Sequence, residues 1–326
     1  MVPLSILDLA PVPEGSDVST ALANTLDLAR AADRLGFHRY WLAEHHNMIG
    51  IASAATSVVI GAVAAATQRI RVGAGGIMLP NHAPLVIAEQ FGTLNALYPG
   101  RIDLGLGRAP GSDMATARAL RRVHAGDADT FPQDVMELVS WFAPAEANQR
   151  IVANPGAGQD VPIWILGSST FGAQLAAHLG LPYAFASHFA PQEMAGAARI
   201  YRETFRPSER LAKPHLMMAC NVVCAPTDQV AADLATSQAQ AFVNLRSGRP
   251  GKLPPPRPGY VEALDGAGRA MLGSVLACSI AGTPETVGPW IEAFAATTGA
   301  DELILSSQIW DPAHRIRSIE LIAGLM

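Results

Sequence analysis

Two imidazoles beside a carboxylate, Glu44-His45-His46, are the most reactive short stretch of this 326-residue chain. Histidine titrates near neutrality, so it can take or give a proton, and an adjacent carboxylate can orient it. Further along stand Gly73-Ala74-Gly75-Gly76, Asn81-His82, Gly105-Leu106-Gly107-Arg108-Ala109-Pro110-Gly111, Gly167-Ser168-Ser169-Thr170 and Ser187-His188. Ser168, Ser169 and Thr170 open a helix-period segment, whose free N–H groups and dipole suit a dianion such as phosphate. Ordinary N-capping would use the same residues; Arg108 nearby adds the charge that favours the phosphate.

Competing chemistries fit less well. Gly105–Gly111 has GxGxxxG spacing, with Pro110 where a dinucleotide-binding loop should enter its helix. Glu44, His45, His46 and His82 have metal-ligand chemistry. Adjacent histidines on an extended chain point to opposite sides, however, and no HxxxH or HExxH helix supplies the rest, so no metal site is expected. Cys220 and Cys224, four apart on a predicted strand, are too far apart to share an ion and read as core. Ser168 and Ser169 lack the second glycine of a GxSxG elbow.

These residues need a frame that gathers them. Short apolar runs are expected as strands at residues 4–9, 39–43, 70–79, 102–107, 162–166, 183–187, 216–223 and 302–306. Each candidate stretch above follows one of these runs. Helices are expected at 19–35 (Ser19 as cap, Gly36 as stop), 52–67, 84–97, 114–122, 134–142, 171–179, 192–204, 229–245 and 312–325. Eight strand-then-helix units, with strands buried on both faces, give the count of a (β/α)8 TIM barrel, which places its site at the C-terminal strand ends. Alternation alone also allows a doubly wound open sheet. Arg246–Gly268 is a Pro/Gly-rich insertion late in the barrel, expected to be a mobile loop or lid within one domain spanning 1–326.

Composition sets limits. Hydrophobic residues make up 49% and charged residues 16%, which implies a large core. The net charge of −5 comes without a basic stripe, so neither nucleic acid nor an anionic membrane face is an expected partner. Three cysteines cannot build a disulfide framework, the first residues lack the basic start of a signal peptide, and no apolar run reaches the roughly 18 to 20 residues of a membrane span. A cytoplasmic protein is expected. The 52–67 helix carries no charge, so its outward face needs a cover, and a homodimer is expected there.

The segments WLAEHHNMIGIASAA, RVGAGGIMLPNHAPLVIAEQFGTLNALYPGRIDLGLGRAPGSD and WILGSSTFGAQLAAHLG together resemble the luciferase-like flavin monooxygenase family, in order along nearly the whole chain. The resemblance implies a (β/α)8 barrel binding reduced FMN, or in some branches F420, at the strand C-terminal rim. It implies that His45 is the histidine beside the flavin and that Gly75–Gly76 is a non-proline cis peptide under the ring. Arg108 and Ser169 become phosphate contacts. Bacterial luciferase has a reactive cysteine where this chain has Gly107, so light emission from a long-chain aldehyde is not expected. The expected activity is oxidation of a small, hydrophobic organic substrate by FMN and O2, with His45 as acid/base and Glu44 orienting it or serving structurally. A separate NAD(P)H:flavin reductase supplies the reduced FMN, since no nicotinamide fingerprint is present. The alternatives are an F420-dependent dehydrogenase on the same barrel and a non-catalytic flavin-binding protein.

Overall fold

The computed structural model describes residues 1–109, 116, 119, 120 and 130–326. Its strands are β1 (Leu4–Asp8), β2 (Arg39–Leu42), β3 (Arg71–Met78), β4 (Ile102–Gly107), β5 (Ile163–Gly167), β6 (Tyr183–Phe185), β7 (Leu216–Cys224), β8 (Ser279–Gly282) and β9 (Glu302–Ser306). They run parallel, with β1 to β6 paired in order, β7 joined to both β6 and β9, and β9 back to β1. Eight strands therefore close a TIM barrel, and they are the eight expected from the sequence. β8 lies outside the ring, paired only with Asn221–Cys224 at the end of β7.

The helices are α1 (Val18–Leu35), α2 (Thr56–Ala66), α3 (Pro84–Leu97), α4 (Phe131–Trp141), α5 (Thr170–Leu179), α6 (Met194–Thr204), α7 (Asp228–Arg246), α8 (Gly266–Val275), α9 (Pro284–Thr298) and α10 (Pro312–Ala323). None is long and apolar enough to cross a membrane, among the described residues. The helix expected at 114–122 lies almost wholly outside those residues.

Strand alternation builds two cores. Tyr40, Leu42, Leu104 and Ile165 point outward and pack with helix residues such as Ile60 and Phe91. Leu7, Trp41, Trp164, Met217 and Ile304 fill the barrel interior. Beneath them, at the strand N-terminal ends, lies a buried charge network. Arg39 Nη1 donates to Asp103 Oδ2 at 2.7 Å and Arg39 Nε to Glu302 Oε1 at 3.0 Å. Its guanidinium lies 4.9 Å from the centre of the Trp164 ring.

The structure corrects three local expectations. Asp17, not Ser19, caps α1: its extended backbone lets Oδ1 accept from the N–H of Thr20 at 2.8 Å. α2 starts at Thr56 rather than at residue 52 because Ile51 bridges to Pro11 and the Ser53 hydroxyl is held by Ala43 O. The late insertion is larger than its Pro/Gly-rich part. Ala239 and Phe242 of α7 pack with Leu272 and Val275 of α8, and β8 ties the unit back to the barrel. The stretch between α7 and α8 is stitched down near its middle. Leu253 exchanges backbone hydrogen bonds with Val12 (2.9 Å) and Glu14 (2.8 Å), and Arg257 N donates to Thr236 Oγ1 at 2.8 Å.

Candidate active site at the strand C-terminal ends

A cavity of about 660 Å3 opens at the C-terminal rim of the barrel, within the range of small-molecule sites. Of the nominated residues, His45, Gly75, Gly76, Arg108, Ser168 and Ser169 line it. Glu44 and Thr170 do not.

The division at Glu44-His45-His46 follows from strand parity. Trp41, Ala43 and His45 reach the cavity as alternate residues, so Glu44 and His46 fall on the opposite side. Glu44 is 1% exposed. Its Oε1 accepts from His46 Nε2 at 2.7 Å and from His82 Nε2 at 2.9 Å, and its Oε2 from the N–H of Met78 at 3.1 Å. Burial would raise the Glu44 pKa, but the hydrogen bond and charge of His82, with the bonds from His46 and Met78, hold it below the ordinary value. Glu44 therefore clamps the end of β2 to the segment after β3 through His46 and His82. These three residues are the group of metal-ligating type among the described residues, with ligand atoms within 4.8 Å of one another. Hydrogen bonds to Glu44 join the three side chains of this cluster.

Gly75 and Gly76 are joined by a cis peptide, as the family resemblance implies. They form a bulge where the β3–β4 register slips between Ala74 and Ile77. A Cβ on Gly76 would lie 2.7 Å from Gly105 O, and one on Gly105 2.3 Å from Ala74 O. Side chains are thus excluded here by the closeness of two backbones, which leaves a flat, bare patch of cavity wall. At Gly107, a Cβ would lie 2.7 Å from Met78 Sδ, so a cysteine at this position would have to displace Met78.

The anion-binding features are open. The Arg108 guanidinium lies 4.2 Å from the Phe171 ring centre and forms no ion pair among the described residues. Ser169 is the N-cap of α5, extended at φ −144° and ψ 170°, and its side chain makes no capping hydrogen bond. Its hydroxyl is therefore not consumed by the helix, contrary to ordinary capping. Thr170 differs: its N–H donates to Glu193 Oε2 at 3.0 Å.

Sequence reasoning noted His188 only as a strand-end residue, yet it lines the cavity, as do Phe189, Phe242 and Arg246. The last two come from the insertion, and no local motif announced that α7 would reach over the barrel mouth.

Residues 2–302 match the family model for luciferase-like monooxygenases. The chain belongs to this family. A luciferase-like monooxygenase of Escherichia coli (strain K12) is 52% identical over 98% of this chain and 96% of its own length. The N-acetyl-S-alkylcysteine monooxygenase of Bacillus subtilis (strain 168) is 35% identical over 76% of this chain and 75% of its own. The crystal structure of apo-MsnO8 superposes with a TM-score of 0.89 at 34% identity, covering 100% of this luciferase-like chain and 98% of that one. The fold alone is shared with two more distant structures. One is the FMN complex of a Pseudomonas putida type II Baeyer–Villiger monooxygenase (TM-score 0.75, 19% identity, 99% and 97% coverage). The other is an F420-dependent secondary alcohol dehydrogenase (TM-score 0.67, 16% identity, 100% and 99% coverage).

Proposed function

We propose that this protein is a monooxygenase that uses reduced FMN and O2 to oxidise a small, hydrophobic organic molecule. The observation that carries the reading is the polarity of the cavity. Arg108, Ser168 and Ser169 supply an uncommitted anion site on one wall. The bare Gly75–Gly76 patch and the apolar side chains of Trp41, Leu166, Phe185 and Ile304 make up much of the remainder. That pattern suits a ligand with a flat ring at one end and a phosphate at the other.

When bound, reduced FMN supplies the electrons and the O2 chemistry. The protein's part is to bind, orient and exclude water. Arg108 and Ser169 hold the phosphate, Gly75 and Gly76 accept the ring, and His45 moves a proton at the reacting edge. Glu44 fixes the segment that presents His45. A separate flavin reductase supplies the reduced FMN. The described wall carries Arg108 and Arg246 as its only cations, few for the long anionic tail of F420, and this favours FMN. Native mass spectrometry with FMN, reduced FMN and F420 tests the choice. O2 uptake with reduced FMN and a panel of aldehydes, ketones, sulfonates and N-acetyl-S-alkylcysteines tests turnover; F420 retention without FMN retention would overturn the reading.

Arg108→Ala is expected to weaken FMN binding by about 1.5 to 3 kcal/mol and riboflavin binding hardly at all, because only FMN carries the charge-assisted phosphate contact. Fluorescence titration of both flavins checks this; equal losses would remove Arg108 from the phosphate site.

The expected partner surface is now narrower. Ile60 is fully buried against the barrel, whereas Val58 is 71% exposed. Ala55 at the N-cap and Val58, Ala62 and Ala65 of α2 are exposed, and Val86 and Leu97 of α3 are exposed as well. A second copy of this chain would cover that apolar face. Val58→Glu is expected to yield monomers by analytical ultracentrifugation, with the melting temperature of a folded monomer; a persisting dimer places the interface elsewhere.

The 246–268 segment is proposed as a lid, held in this structure by Leu253, by Lys252 bonded to Ser16 O and by Tyr260, Val261 and Leu264 packed with the α7–α8 cluster. Chymotryptic cleavage at its Tyr260 is expected to slow when FMN and a substrate are both bound. An unchanged rate would make it a tether.

A further inference from the structure

A buried polar atom without a partner needs an explanation, and one such atom belongs to a residue that lines the cavity: Nδ1 of His188. His188 follows β6 and His45 follows β2, strands that lie opposite each other in the ring of eight. Both side chains nevertheless line the same cavity. The insertion holds His188 in place. Its carbonyl accepts from Asn221 Nδ2 at 2.6 Å, Asn221 Nδ2 also donates to Ser279 Oγ at 3.0 Å, and Asn221 Oδ1 accepts from Gln238 Nε2 at 2.6 Å. Residues of β7, β8 and α7 thus fix the backbone of His188, and its ring packs edge-on against Phe189 at 4.9 Å.

The surroundings settle its charge. Burial, and then the charge on His45, push His188 down to about 4. The described wall adds Arg108 and Arg246 and contains no carboxylate, so nothing in it favours an imidazolium. The tautomer follows from the orphaned atom. A proton on Nδ1 would be buried with no acceptor, whereas Nε2 makes no hydrogen bond to the described protein and can direct its proton at a ligand. The described wall carries two guanidinium groups and no carboxylate, which suits a substrate bearing a carbonyl or carboxylate oxygen on an apolar body.

We propose that His188 is a second catalytic imidazole of this cavity, held neutral with its proton on Nε2, and that this N–H grips a carbonyl or carboxylate oxygen of the substrate. The proposal rests on the flavin monooxygenase reading, and it divides the labour: His45 moves the proton, and His188 holds the oxygen-bearing group in register.

Two measurements test it. Long-range 1H–15N spectra of the ligand-free protein, with His188→Gln used to assign the resonance, should show a neutral Nε2–H imidazole from about pH 6 to about pH 8. An imidazolium or an Nδ1–H tautomer in that range overturns the proposal. With the compound that the wild type oxidises best in the panel above, His188→Leu should raise KM about 10-fold, whereas His188→Gln, which keeps an N–H near the same place, should stay within about 3-fold. Unchanged KM in the folded Leu variant also overturns it. A wild type that oxidises nothing in the panel defeats the flavin reading instead, and the spectra still decide the state of His188.

Discussion

His45→Ala is expected to lower kcat by about 100-fold or more, while the melting temperature and the Kd for oxidised FMN stay close to those of the wild type. The geometry separates the two functions of this short stretch. Glu44 and His46 form the buried clamp with His82, and His45 takes the opposite parity into the cavity. On the proposed assignment, removing its imidazole takes away a proton carrier and leaves the Glu44–His46–His82 clamp in place. His46→Ala is the contrasting control: it breaks a bond to a buried carboxylate and should lower stability more than a mutation at His45. O2 consumption with chemically reduced FMN reads the first effect and thermal unfolding the second. If His45→Ala unfolds while His46→Ala loses only turnover, the two histidines have been assigned to the wrong sides.

Strand parity was legible in the sequence, and its consequence was only half drawn. The rule that adjacent residues point apart argued against a metal site built from His45 and His46. The same rule pairs Glu44 with His46, which fits the structural one of the two roles expected for Glu44. His82 could not be added from the sequence, since its approach depends on the pairing of β2 with β3. The eight barrel strands were readable because each is a short run buried on both faces. β8 was not: Ser-Ile-Ala-Gly is four residues long and pairs only with the overhanging end of β7. α9 left signals that could have been used, Thr283-Pro284 at its start and Gly299 at φ 65° as its stop. α8 is glycine-rich and held by packing against Phe242; its legible mark is Asp265, whose side chain accepts from the N–H of Gly268. His188 carried no local motif. Its importance comes from β6 lying opposite β2 and from the insertion that pins it, both properties of the closed ring.

The buried network at the other end of the barrel was equally invisible, because its members come from β2, β4 and β9. It carries the largest expected effect on stability. Arg39 stands between Asp103 and Glu302, whose side chains are 0% and 1% exposed. Replacing it with methionine keeps the apolar stem but removes the guanidinium beside Trp164 and leaves two buried carboxylates short of a cation. Arg71 still meets Asp103 at 2.6 Å, and His215 meets Glu302 at 3.3 Å, so the loss is partial. It should nonetheless reach about 3 to 5 kcal/mol near neutral pH. The pH dependence gives the sharper test. In the wild type, burial would raise the Glu302 pKa, but the hydrogen bond from His215 and the charge of Arg39, with Ser5 and His38, bring it below its ordinary 4.5. That contribution to stability is present above 4.5 and is lost as pH falls through the lower folded value. Without Arg39, burial dominates and the folded pKa rises above that of the unfolded chain. Protonation of Glu302 then favours the folded variant, so the variant should lose less stability than the wild type as pH drops from 7 toward about 5, where buried His188, held down to about 4, destabilises both proteins alike. Urea unfolding across that range should show the gap between the two proteins narrowing on acidification. A gap that stays constant would mean that Arg39 contributes by packing and not as the counter-ion of Asp103 and Glu302.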